Sequence, residues 1–83
     1  MEKVLVEVYV PVLERSYDMF IPKASSMAQV LELMKKAVKE MSDDTFVANE
    51  NTTLCHREDG TIININLSVA ELDIRNGTKL MLI

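Results

Sequence analysis

Leu67-Ser68-Val69-Ala70-Glu71-Leu72-Asp73-Ile74-Arg75-Asn76-Gly77-Thr78-Lys79-Leu80-Met81-Leu82-Ile83 is the stretch that decides the fold. Serine is a helix-capping residue type, so Ser68 predicts one turn of helix over Val69-Ala70-Glu71-Leu72. Asn76-Gly77 is a tight-turn pair, because glycine enters positive φ without a Cβ clash. Lys79 to Ile83 then reads as a strand that is apolar at almost every position. A strand apolar on both faces belongs inside a sheet rather than at its rim. The rest of the chain must therefore supply strands to flank it.

Working outward, Lys3 to Val10 supplies a second such strand. Valine recurs at 4, 6, 8 and 10, which makes one face wholly apolar. Lys3, Leu5, Glu7 and Tyr9 make the other face mixed. Pro11 ends the pairing because it has no backbone N–H to donate. Ser16 to Ile21 alternates again, with Tyr17, Met19 and Ile21 on one side and Ser16, Asp18 and Phe20 on the other. The short polar turn around Glu14 and Arg15 predicts an antiparallel hairpin.

Pro22 closes that strand. Ser26 with Gln29 three residues later is a capping box, and it predicts a helix from Met27 to Met41. Met27, Val30, Leu31, Met34, Ala37, Val38 and Met41 form its apolar stripe. Glu32, Lys35, Lys36, Lys39 and Glu40 form the solvated side, with Glu32 and Lys36 at a favourable ion-pair spacing. Ser42 to Thr53 is irregular, and Phe46 and Val47 are expected to tuck into the core rim. Leu54 to Glu58 reads as a short strand, Asp59-Gly60 as a tight turn, and Thr61 to Ile65 as a short returning strand.

One helix with one apolar stripe calls for one sheet to cover. At 83 residues the chain makes a single domain, residues 1–83. The two most apolar strands lie at the ends of the sequence. Placing them side by side and parallel puts both hairpins at the edges. The expected fold class is α+β: a mixed sheet in ββαββ order with one main helix on one face, the β-grasp arrangement.

The element order, the size and the pattern Leu67-Ser68-x-x-x-Leu72-x-Ile74-x-Asn76-Gly77-x-x-Leu80-x-Leu82 resemble the ubiquitin-like superfamily. The small bacterial YukD/EsaB-like branch is the most similar. The resemblance covers the whole chain in topology and the final seventeen or so residues in sequence. It implies a cytoplasmic accessory of a type VII (WXG100/ESAT-6-like) secretion system, acting by binding other proteins.

Composition removes several alternatives. The net charge of −4 works against phosphate binding, so no nucleic-acid partner is expected. Lys35, Lys36 and Lys39 fall late in the predicted helix, where cations favour the negative end of its dipole. There is no apolar run long enough to span a bilayer and no visible signal peptide. Cys55 is the only cysteine and His56 the only histidine. As strand neighbours they point to opposite faces and make no dyad. No metal-ligand spacing, calcium loop or phosphate loop is present, so neither catalysis, a metal nor a cofactor is expected. Ubiquitin-like modifiers and sulfur carriers act through a C-terminal Gly-Gly, whereas this sequence closes on Leu80-Met81-Leu82-Ile83. Conjugation is not expected of it.

The helix covers one sheet face, and alternation sends Leu5, Tyr9, Phe20, Met81 and Ile83 to the other. In ubiquitin-like proteins that open face is the usual docking surface. Those five residues are therefore the candidate protein-binding site, for a secretion component or for self-association. The competing readings are a modifier or sulfur carrier whose Gly-Gly lies outside this sequence, and an RNA-associated β-grasp domain.

Overall fold

Val4, Val6, Val8 and Val10 are all buried, while Leu5, Glu7 and Tyr9 between them are half-buried. That alternation is β1, Lys3–Val10, with a full apolar face to bury. The computed structural model describes residues 2–83. β2, Arg15–Pro22, pairs antiparallel with β1 over its whole length, Val8 opposite Tyr17 and Leu5 opposite Phe20. Between them Pro11–Leu13 makes a 3-10 turn, and Glu14 takes the left-handed conformation that reverses the chain.

α1 spans Met27–Met41, as the stripe predicts. Ser26 Oγ accepts the Gln29 N–H, and the Gln29 side chain accepts the Ser26 N–H, so two otherwise orphaned donors are satisfied. Met27, Val30, Leu31, Met34 and Val38 are buried against the sheet. Met41 departs from expectation at 44 % exposed. The next residue explains it. Ser42 is buried instead, and its Oγ accepts the Phe46 N–H, which turns the chain inward and leaves Met41 on the outer side. Glu32 pairs with Lys35 at 3.3 Å rather than with Lys36. Of the two loop residues expected at the rim, Phe46 is buried in the core and Val47 is 78 % exposed.

β3 is Leu54–His56 and β4 is Lys79–Leu82. The sheet order is β2-β1-β4-β3, with β1 and β4 parallel at its centre. β3 stops at His56, short of the expected Glu58, and Thr61 to Ile65 forms no strand. Only Ile62 bridges to Cys55. Local bonds compete with the ladder here. Asp59 Oδ1 accepts the Thr61 N–H, and Asn64 Oδ1 accepts the Asn66 N–H. The first of these holds the Asp59 carboxyl below the usual carboxylate range. The Asp59-Gly60 turn does form, with Gly60 at φ +74° and its N–H on His56 O.

The decisive stretch folds as read. Ser68 and Glu71 cap each other reciprocally, and Leu72 N–H reaches Ser68 O, giving one turn. The Asn76-Gly77 turn is clasped to β1: Leu5 N–H donates to Asn76 Oδ1 at 2.8 Å and Gly77 N–H to Leu5 O at 2.8 Å. This fixes the register of β4 against β1. Leu80 sits opposite Val8, and both are wholly buried under the helix. The result is a β-grasp, the mixed four-stranded sheet and single helix that the element order predicts.

Candidate functional site

The sheet face opposite the helix can be read in rows, because residues directly opposed across strands share a face. Phe20 and Leu5 form the first row. Asp18, Glu7 and Lys79 form the second, extended by Arg57, whose N–H bonds Lys79 O. Ser16, Tyr9, Met81, Cys55 and Ile62 form the third. Ile83 lies beyond, its main chain exchanging two hydrogen bonds with Thr53.

All five sequence-predicted residues are therefore on the uncovered face. Phe20 is 68 % and Ile83 52 % exposed, and Leu5, Tyr9 and Met81 are half-buried. They do not form one continuous patch. At roughly 3.3 Å per residue, Leu5 and Tyr9 lie about 13 Å apart along β1, and the charged second row runs between them. Arg57 binds that row together. Its guanidinium meets Glu7 Oε2 at 3.4 Å and lies over the Tyr9 ring, 4.3 Å from the centroid. The ion pair is partly solvated, and such pairs contribute about 0–1 kcal/mol. The cation–π contact adds about 0.5–1 kcal/mol. One side of Tyr9 is consequently occupied by a cation. The face has an apolar group at each end and fixed charges across its middle.

Two participants escaped the sequence reading. Ile62 is 68 % exposed and extends the third row beyond Cys55. Its signal was the Asp59-Gly60 turn, which returns Ile62 alongside residue 55. Arg57 had no such signal, because its place over Tyr9 depends on the register of three strands.

Cys55 and His56 point to opposite faces, Cys55 with Met81 on the open side and His56 with Leu80 on the helix side. The thiol is buried, with Sγ 3.7 Å from Met81 O. Burial, reinforced by the nearby Asp59 carboxylate, pushes the thiol above its ordinary range. Thiolates rather than thiols are alkylated. Iodoacetamide at pH 8 should therefore modify the folded protein on the order of 100-fold more slowly than the urea-unfolded chain, followed by intact mass. Equal rates would mean that Cys55 is open to solvent. Among the described residues no three His, Cys, Asp or Glu side chains converge as metal ligands, and no helix is long and apolar enough to cross a membrane.

No protein-family model matches the chain, and no curated protein matches its sequence. Solved structures do. The ubiquitin-like domain of the Mycobacterium tuberculosis type VII secretion protein EccD1 superposes with a TM-score of 0.79 at 17 % identity, covering 100 % of this chain and 99 % of that one. A chain of the MycP5-free ESX-5 inner membrane complex matches at 0.70 and 17 % identity, covering 100 % of this chain and 21 % of that one. A chain of the toluene 4-monooxygenase HD complex with 4-bromobenzoate matches at 0.77 and 12 % identity, with 98 % and 96 % covered. The fold is ubiquitin-like. Proteins of unrelated tasks share it, so the fold by itself assigns none.

Proposed function

We propose that this chain is a protein-docking module of a type VII secretion apparatus, working in the cytoplasm through the uncovered face of its sheet. The observation that carries the reading is the placement of Leu5, Tyr9, Phe20, Met81 and Ile83 together on that face, with Phe20 and Ile83 more than half exposed. These apolar groups stand on the sheet face that the helix leaves uncovered, where a partner can reach them from either end of the charged row. The loop after α1 does not cover them, since it anchors in the core through Phe46.

The secretion setting draws on two supports. One is the sequence resemblance to the YukD/EsaB-like branch. The other is the likeness to the EccD1 domain and to part of a chain in the ESX-5 inner membrane complex. The partner on this reading is a protein subunit of the secretion complex. It presents two apolar groups about 13 Å apart, flanking polar groups that meet Glu7, Lys79 and Arg57. No cofactor or nucleic acid takes part.

The test is co-purification of the tagged chain with the detergent-solubilised secretion complex of its own host. Replacing both Phe20→Glu and Met81→Glu puts two charges on the face and should lower recovery about tenfold or more, with an unchanged circular dichroism spectrum. Undiminished recovery would refute docking through this face. A covalent adduct formed with an activating enzyme and ATP would replace the reading with that of a modifier.

A further inference from the structure

We infer that Asn76 is a site of spontaneous covalent ageing that the fold holds in check. The Asn76-Gly77 turn converts to an isoaspartyl linkage only when it lifts off β1, and the modified chain cannot close the same clasp again.

The chain carries five asparagines, at 49, 51, 64, 66 and 76. Four of them precede Glu50, Thr52, Ile65 and Leu67, whose side chains hinder approach to the following main-chain nitrogen. Asn76 precedes Gly77, which has no Cβ to stand in the way. In such a pair the Gly77 nitrogen, once deprotonated, attacks Asn76 Cγ. The new N–Cγ bond closes a succinimide ring and the Cγ–Nδ2 bond breaks. The amide leaves as ammonia, taking up a proton in exchange for the one Gly77 gave to solvent. Water then opens the ring. Cleavage of the bond to Cγ leaves an aspartyl residue at position 76. Cleavage of the bond to the main-chain carbonyl leaves isoaspartate, with the chain running through the former side chain. Nothing is oxidised or reduced.

Both reacting groups are engaged in the folded protein. Asn76 Oδ1 accepts the Leu5 N–H at 2.8 Å, and the Gly77 N–H donates to Leu5 O at 2.8 Å. The second bond keeps the proton on the nucleophile. The first polarises Cγ, but a polarised carbonyl gains nothing from a nitrogen that retains its proton, and the same bond pins the side chain toward β1. Thr78 N–H on Arg75 O and Arg75 N–H on Thr78 Oγ1 close the turn from within. Asn76 and Gly77 are both exposed, so water meets them as soon as the two Leu5 bonds open. That opening is local, because the next bond of the ladder, Glu7 N–H on Thr78 O, can stay closed.

The two products differ in whether they clasp again. The aspartyl product keeps its oxygen on a side chain, and a carboxylate accepts the Leu5 N–H as the amide does. In the isoaspartyl product that oxygen becomes the carbonyl of the peptide joined to the Gly77 nitrogen. A trans peptide turns its C=O and its N–H to opposite sides, so the two groups cannot both meet Leu5. The main chain is also longer by one bond, about 1.5 Å. The modified turn therefore gives up one of the bonds that set β4 against β1.

The test incubates the full chain at mildly alkaline pH, folded and in guanidinium chloride, and follows each asparagine by peptide mapping and mass spectrometry. Conversion should concentrate at Asn76 and run about tenfold or more slower in the folded protein. The isoaspartyl form, separated chromatographically, should exchange its Leu5 amide about tenfold faster than unmodified protein, whereas Asn76→Asp should stay within about twofold. Asn76→Ala removes the accepting oxygen and keeps the turn glycine, so it should match the isoaspartyl form at Leu5. Equal conversion rates in the folded and unfolded chain, conversion led by another asparagine, or an isoaspartyl form whose Leu5 amide exchanges as slowly as before would each overturn the inference.

Discussion

Leu80→Ala is expected to destabilise the fold by about 3 kcal/mol, near the middle of the range for emptying a fully buried leucine site. Leu80 lies in β4 between Val8 of β1 and His56 of β3, and none of its surface is exposed. The strands on either side are fixed by main-chain bonds, so the site has little freedom to collapse and the cavity persists. A domain of this size has about 4–12 kcal/mol of total stability. The loss is a large fraction of that, and Tm should fall by roughly 12–24 °C. The neighbouring Met81→Glu is the control. Met81 points to the open face and is half-buried, so its replacement should cost under about 1 kcal/mol. Urea unfolding of the two variants decides whether strand alternation here is as described. Comparable losses would mean that the two side chains are not on opposite faces.

Phe46→Ala carries the second large effect, about 3–4 kcal/mol. Phe46 is the one large side chain by which the 42–53 segment enters the helix-side core. The turn that delivers it is held by Ser42 Oγ on the Phe46 N–H and by Thr45 Oγ1 on Ser42 O. Loss of the ring should also release the segment locally, so amide exchange across residues 45–52 should accelerate more than exchange in β1. Val47→Ala, one position along and largely exposed, should change stability by less than about 0.5 kcal/mol. Equal effects at 46 and 47 would show that the segment is not anchored through a single ring.

These expectations rest on parts of the fold that were unequally legible in the sequence. β1, β2, α1 and β4 could be read because each has a strong period. The four alternate valines of β1 and the Met27-to-Val38 stripe leave one way to bury them. The parallel pairing of β1 with β4 followed from both strands being apolar at nearly every position, and the Asn76-Gly77 turn sets its register. The strand ending at Arg57 and Glu58 and the returning strand over Thr61 to Ile65 were misread, while the Asp59-Gly60 turn between them forms as expected. Asp59 and Asn64 bond their own neighbouring amides, and that removes donors from a ladder that alternation alone would predict. Met41 was misassigned because helical spacing says nothing of where the chain turns off, and Ser42 decides that.

The candidate site divides in the same way. Which of Leu5, Tyr9, Phe20, Met81 and Ile83 share a face was readable, since alternation within a strand is local. Their separation by a charged row was not. It requires knowing that Glu7 stands opposite both Asp18 and Lys79, and that Arg57 reaches Tyr9 from the turn after β3, 48 positions on in the chain. Register between distant strands is a tertiary property, and hydrophobic periodicity carries no record of it.

The most direct test of the docking account is site-specific photocrosslinking in the native host, with benzoylphenylalanine placed either at Phe20 on the open face or at Gln29 on the exposed side of α1. The account predicts a crosslink to a subunit of the secretion complex from position 20 and none from position 29. Adducts from position 29 alone, or none from position 20 while the complex is assembled, would contradict it.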